Sequence, residues 1–277
     1  MPRRLNKTRA ILALGGLIAV ALAGAVANAQ TQVTWATEGT YAPWSETDDS
    51  GVLVGFDIEL VSLLCAHLGY DCTMERMAWP AMMDAVAAGE VDAFISGVAI
   101  TPERELAVDF TRPYMQLAVA FAVGTDSDLA GARPSHATQL AALLDNATIG
   151  VQADTVASIL AAQLIPSATL IDYDTTDALT QAVADGDVDA GLAALPSWTQ
   201  PIIVQPDEIV VLGPPLTSED YTVLGRGLGI GIREDADNLK AELDRALCEL
   251  EDAGEIQPLS ISWFGSELTI KCYLRNR

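Results

Sequence analysis

The chain has 277 residues, 50% of them hydrophobic and 19% charged, which is enough to bury one large core or two ordinary ones and too apolar for a disordered chain. Its 15 Lys and Arg stand against 38 Asp and Glu for a net charge of −23, so DNA or RNA would be repelled over most of the surface and no nucleic-acid partner is expected. His67, His136 and four cysteines lack C-x2-C or H-x3-H spacing, so the residues imply no metal and no cofactor.

Arg3, Arg4, Lys7 and Arg9 precede an apolar run from Ala10 to Val26, and Ala27-Asn28-Ala29 supplies a small-x-small cleavage pattern. Residues 1–29 therefore read as a signal peptide cleaved near Ala29, before Gln30. The run is short and rich in Ala and Gly, and no second apolar span of about 20 residues follows, which argues against a membrane anchor. Loss of four basic and no acidic residues would deepen the negative charge by four and leave Lys240 and Lys271 as the lysines. The expected location is the periplasm. In that oxidising compartment the even cysteine count suggests disulfides. Cys65 and Cys72 are near enough to pair across a helix-to-strand turn, which leaves Cys248 with Cys272.

From Val33 onward short apolar runs alternate with amphipathic stretches, the pattern of an α/β chain. The spacing predicts a strand over Gln32 to Ala36 and a turn at Glu38-Gly39-Thr40. It then predicts a helix capped by Asp57, carrying Ile58, Val61, Leu64 and Leu68 on one face and ending at Gly69. A strand around Cys72 to Arg76, a short helix Ala81 to Ala88 and a buried strand Val91 to Ser96 follow. Thr101-Pro102-Glu103 reads as a helix start, and Leu117 to Val123 as another strand.

The same grammar restarts near Ala147. It gives strands at Thr148 to Gln152, Thr169 to Ile171 and Val188 to Leu192, and helices from Thr155 and over Thr176 to Ala184. Gly89-Glu-Val-Asp-Ala93 echoes Gly186-Asp-Val-Asp-Ala190, each joining a helix to a strand, which suggests two similar lobes. Gly225-Arg-Gly-Leu-Gly-Ile-Gly-Ile-Arg233 lacks G-x-G-x-x-G spacing and reads as a glycine-spaced returning strand rather than a nucleotide loop. A helix over Asn238 to Asp252 and a short one before Trp263 complete the chain. Met74, Met77, Met82 and Met83 read as packing around Trp79 rather than a copper site. Asp185, Asp187 and Asp189 lack the Gly and Glu that a calcium loop needs, and Asp48-Asp49-Ser50-Gly51 reads as a hairpin turn.

Taken in order, Thr37-Glu-Gly-Thr-Tyr-Ala-Pro-Trp44, Gly55-Phe-Asp-Ile-Glu-Leu60, Gly89-Glu-Val-Asp-Ala93, Ile100-Thr-Pro-Glu-Arg104, Asp109-Phe-Thr-Arg-Pro-Tyr114 and Trp263-Phe-Gly265 carry a resemblance. Over nearly all the chain after residue 29 it resembles solute-binding protein family 3, the periplasmic proteins of polar-amino-acid ABC transporters. The Cys65/Cys72 pair and the Gly-Ile-Gly-Ile-Arg strand are most similar to its lysine/arginine/ornithine and octopine/nopaline branch. The resemblance implies the two-lobed type II periplasmic-binding-protein fold, with two crossover strands as hinge and a ligand cleft between the lobes. Residues 30–124 and 225–277 would form lobe 1, and 125–224 lobe 2 with the second hinge strand. It further implies a monomer that takes an amino acid or derivative to an inner-membrane permease.

Carried over by position, Tyr41 and Trp79 would stack on the ligand's side chain, Arg104 would grip its carboxylate and Glu38 would face its distal end. Thr155 would add a hydroxyl or N–H to an anion. Departures from the family pattern matter as much. Gly97 and Ala99 leave only backbone where a hydroxyl or amide side chain is usual, Val156 replaces a hydroxyl, and Asp154 replaces a glycine. Ala194 stands where an acidic residue usually receives the α-ammonium, a loss of roughly 1.5–3 kcal/mol unless the ligand has no free amine there. A carboxylate solute with a blocked or secondary amine, such as an opine, fits that pattern. A cyclohexadienyl-dehydratase-like enzyme and a periplasmic sensor are the competing readings; the stretch after Val188-Asp-Ala lacks the acidic catalyst the enzyme would need, so no catalytic residue is assigned.

Overall fold

The computed structural model describes Met1, residues 30–204 and residues 207–272, with side chains undescribed at 200–204. The rest of the expected signal peptide lies outside the described residues. Among the described residues no helix is long and apolar enough to cross a membrane.

The chain starts with strand β1 (Gln32–Thr37), whose Trp35 and Ala36 are fully buried. A small antiparallel sheet of β2 (Thr40–Tyr41), β3 (Ser45–Thr47) and β4 (Leu53–Val54) follows. Its expected turn forms at Asp48, whose carboxylate accepts from Ser50 N and Val52 N at 2.9 Å each. Helix α1 (Phe56–Leu68) ends at left-handed Gly69, then come β5 (Asp71–Arg76), α2 (Trp79–Ala88), β6 (Ala93–Phe94) and β7 (Asp109–Phe110). Asp57 is not the cap of α1 that its position suggested. The cap is Gly55, and Asp57 turns inward, fully buried, because Gly97 N (2.7 Å) and Tyr114 Oη (2.9 Å) donate to it.

The second lobe comprises β8 (Ala118–Gly124), α3 (Ala137–Leu143), β9 (Thr148–Gln152), α4 (Val156–Leu164), β10 (Thr169–Tyr173), α5 (Thr176–Asp185), β11 (Ala190–Ala194), α6 (Leu195–Val204) and β12 (Ile209–Thr217). The chain then returns through β13 (Gly231–Ile232), α7 (Asp237–Asp252) and α8 (Ile256–Phe264). The sheets run β5-β1-β6-β13-β7 and β10-β9-β11-β8-β12. In each, three parallel strands meet one antiparallel strand that has just arrived from the other lobe, β13 in the first sheet and β8 in the second.

This exchange moves one expected boundary. Residues 118–124 were expected to close lobe 1, yet Ala118–Gly124 pairs along its length with β11 and β12 and is buried as a central strand of the second sheet. Met115 still bridges to Leu228 and Thr269 of the first lobe and Gln116 N still donates to Leu268 O (3.3 Å), so the first passage falls at Leu117. Leu224 packs in the second lobe while Arg226 N donates to Ile100 O (3.1 Å), so the chain passes back between the lobes around Gly225. Disulfides join Cys65 to Cys72 and Cys248 to Cys272.

The glycine-spaced return strand has a packing reason. A Cβ at Gly231 would lie inside the van der Waals surface of the Phe94 ring, in the centre of the first sheet. Gly231→Ala is expected to lower stability by about 1–3 kcal/mol, read as a drop in the thermal unfolding midpoint of the chain from residue 30. An unchanged midpoint would mean that Phe94 turns aside without cost.

Candidate functional site

The partly open cleft between the two sheets, with the solvent at its mouth, encloses about 530 Å³ of space free of protein atoms. It opens at the carboxyl ends of β1, β9 and β11, where loops and helix starts gather. Glu38, Tyr41, Trp79, Gly97, Ala99 and Arg104 line it from one side, and Thr155 and Ala194 from the other. All eight positions carried over from the family thus line one cavity, from its two sides.

Glu38 follows the last residue of β1 and is 7% exposed; its N–H donates to Ser96 Oγ at 3.3 Å. Burial pushes its carboxyl up to about 7, against the opposing pull of a hydrogen bond from Gln152 Nε2 at 2.7 Å. Tyr41 stacks one face on Trp44, with ring centroids 4.8 Å apart. Burial, with the nearby Glu38 charge, raises its phenol well above the ordinary range. Trp79 opens α2, and its indole N–H reaches across the cleft to Asp154 O at 3.3 Å.

Arg104 sits on a single 3-10 turn, Arg104–Leu106, shorter than the helix expected after Thr101-Pro102. Thr101 Oγ1 still accepts from Arg104 N at 3.3 Å. The guanidinium lies 4.7 Å above the Trp79 ring and donates to Ala99 O (2.9 Å) and Asp154 O (3.4 Å). Burial pulls it down to about 10, so it stays charged at neutral pH. Gly97 holds φ +57°, and a Cβ there would meet the Tyr41 ring at 2.8 Å.

Thr155 caps α4, with its hydroxyl accepting from Ser158 N (3.3 Å) and donating to Gln152 O (2.9 Å). Its one O–H is spent inside lobe 2, so an anion would meet backbone N–H groups of the α4 start, where Val156 and Ala157 also line the cavity. Asp154 adopts φ +58°, the left-handed conformation that the family's glycine would supply. Ala194 ends β11 opposite Val119, 4% exposed, and brings no charge to the wall.

Sequence reasoning missed Gln152, Ser96 and Thr176, which also line the cavity. Gln152 was within reach, because a polar residue at the carboxyl end of a parallel strand sits where such sheets bind ligands. Ser96 and Thr176 carried no comparable signal. Among the described residues no cluster of three or more His, Cys, Asp or Glu is arranged to hold a metal ion.

Residues 33–266 match the family described as bacterial extracellular solute-binding proteins, family 3. The chain is 28% identical to an octopine-binding periplasmic protein of Rhizobium meliloti, over 90% of this chain and 95% of that one. It is 28% identical to a putative ABC transporter arginine-binding protein 2 of Escherichia coli (strain K12), over 90% and 98%. Among solved structures, a periplasmic His/Glu/Gln/Arg/opine family-binding protein from Silicibacter pomeroyi, in complex with lysine, superposes with a TM-score of 0.73 at 25% identity, over 86% of this chain and 99% of that one.

Behind this wall Asp57 is raised to about 7 by burial, from 3.8. A carboxyl shifted in that direction contributes stability below its unfolded value and loses it as pH rises through about 7. Glu38 shifts the same way. The ligand-free unfolding midpoint should therefore fall between pH 5 and pH 8, and Asp57→Asn should shrink that fall by about half; an equal fall in the variant would show that Asp57 does not titrate there.

Proposed function

Because the chain belongs to the bacterial extracellular solute-binding proteins of family 3, and is thus a binding protein rather than an enzyme, we propose that it captures a small carboxylate-bearing amino-acid derivative and delivers it to an ABC importer. The observation that carries the reading is a guanidinium and a carboxylate, Arg104 and Glu38, both drawn out of water into one cavity with apolar walls at Leu117, Val119 and Leu192. A ligand carboxylate against Arg104 and the α4 N–H groups, with a cationic group toward Glu38, completes both charges. Ala194 supplies no acceptor for an α-ammonium, which favours a blocked or secondary amine. The octopine-binding relative supports that class.

Residues 1–29 act as the export signal in this proposal, cleaved before Gln30 to release a periplasmic monomer. The names of its relatives as periplasmic proteins support that location. The partner is the importer's permease in the inner membrane. Closing two lobes on the solute excludes water and lets each lobe contribute contacts, so capture and closure form one event.

The test is thermal unfolding of residues 30–277 against free amino acids, N-substituted amino acids and opines. A ligand present at a hundred times its Kd adds about 2.7 kcal/mol and raises the midpoint. A shift with N-substituted ligands is expected; silence across the panel would overturn the proposal. Arg104→Ala should weaken binding about ten- to hundredfold, measured by calorimetry. Ala194→Asp should improve binding of ordinary α-amino acids by a similar factor, and no gain there would refute the role given to Ala194.

A further inference from the structure

Inside the cleft a chain of three buried polar side chains crosses from lobe to lobe. Glu38 is 7% exposed, Gln152 6% and Thr176 3%. Gln152 Nε2 donates to Glu38 Oε1 (2.7 Å) and to Asp174 O (3.2 Å), while Gln152 Oε1 accepts from Thr176 Oγ1 (3.0 Å). Every hydrogen-bonding direction of that amide but one lone pair is used. Reversing the amide would set its oxygen against a carboxylate and a carbonyl, so its orientation is fixed. The other cross-cleft bonds on this wall, from Trp79 and Arg104, end on the Asp154 carbonyl and carry no charge into lobe 2.

We propose that Gln152 is a positioning residue that holds the Glu38 carboxylate ionised and aimed at a cationic ligand group, so that lobe closure and the charge of Glu38 are one coupled event. This rests on the reading that the ligand pairs a carboxylate with Arg104 and a cation with Glu38. Donation from an amide N–H favours the charged form of a carboxylate, and burial opposes it. The charged and titratable groups around Glu38 are Asp177 in the first turn of α5, Tyr41 on β2, Arg104 across the cavity, and Arg76 of β5, which packs on Gly39. Asp177 raises the carboxyl's affinity for a proton as burial does, which leaves Gln152 as the largest influence in the other direction.

Two consequences separate this role from simple packing. A cation binds the ionised carboxylate, so affinity should climb as pH rises toward about 7 and level off above it, with one proton displaced per ligand on the acid side. Without Gln152 the carboxyl holds its proton more tightly. The midpoint of the affinity profile should then move to higher pH by about one unit, while binding well above that midpoint recovers toward the wild-type value.

The experiment is calorimetric titration of residues 30–277 with octopine, and with arginine, from pH 5.5 to 9 in two buffers of different ionisation enthalpy. Wild type should release close to one proton per ligand at pH 6 and few at pH 8.5. Gln152→Leu should shift the midpoint up, Thr176→Val should shift it the same way by less, and Glu38→Gln should flatten the profile. A Gln152→Leu loss of equal factor at every pH overturns the proposal, as does a flat or falling wild-type profile. If the inference fails in those ways while Arg104→Ala still weakens binding about ten- to hundredfold, the functional reading stands. If neither these probes nor the N-substituted amino acids of the unfolding panel bind at any pH, or Arg104→Ala leaves binding intact, both fail together.

Discussion

A carboxylate and a guanidinium are withdrawn from water in the same cavity, and each is held by neutral groups of the opposite lobe. Glu38 takes the Gln152 amide, and Arg104 takes the carbonyl of Asp154. Burying a charge without a counter-charge is costly unless hydrogen bonds or a partner repay it. The neutral donors and acceptors repay part of that cost and leave both groups poised for an opposite charge. Much local structure serves this arrangement. β1 delivers Glu38 to the cleft, the 3-10 turn after Thr101 delivers Arg104, and Asp154 accepts left-handed backbone so that its carbonyl can face both Trp79 and Arg104.

The parts of the fold legible in the sequence are those where a residue does a local job. Gly89 and Gly186 end their helices with φ of 74° and 75°, as the echoed motif requires. Three residues on, Asp92 and Asp189 accept from Thr34 N (2.8 Å) and Thr148 N (2.7 Å), tying each helix-strand joint to the first parallel strand of its sheet. Repetition in sequence therefore reports repetition in bonding. Asp57 failed as a cap because its partners lie 40 and 57 residues away, where spacing cannot see them. The first lobe boundary failed for a related reason: an apolar run identifies β8 as a strand but not the sheet in which it is central.

The cavity also shows which departures from the family pattern carry weight. Gly97 N is turned away to Asp57, and Ala99 O is taken by Arg104, so this loop braces the guanidinium. The Thr155 hydroxyl is likewise spent on the cap and on Gln152 O. Asp154 replaces glycine without losing the backbone shape, since Asp is among the residues that tolerate φ near +58°. Ala194 is different, because nothing in its surroundings restores the missing acid. In the proposed reading, charged recognition contracts to Arg104 and Glu38, with the N–H groups at the start of α4 and Ser96 as neutral polar atoms on the cavity surface.

With so few polar contacts, shape and the spacing of two charges must carry selectivity. The apolar wall that sets this shape includes Leu117 and Val119, and Leu117 belongs to the first passage between the lobes. A solute packed against that wall touches the hinge itself, not only the faces the hinge brings together. Its fit therefore bears on the closed geometry directly, through the passage that leads from the first lobe into β8. The Glu38–Gln152 bond acts at the far edge of the same cavity, across the lobes rather than along the chain. The described lobes are then linked in two kinds of way, by covalent continuity at the two passages and by hydrogen bonds across the cleft, from Trp79 and Arg104 to the Asp154 carbonyl and, charge-assisted, from Gln152 to Glu38.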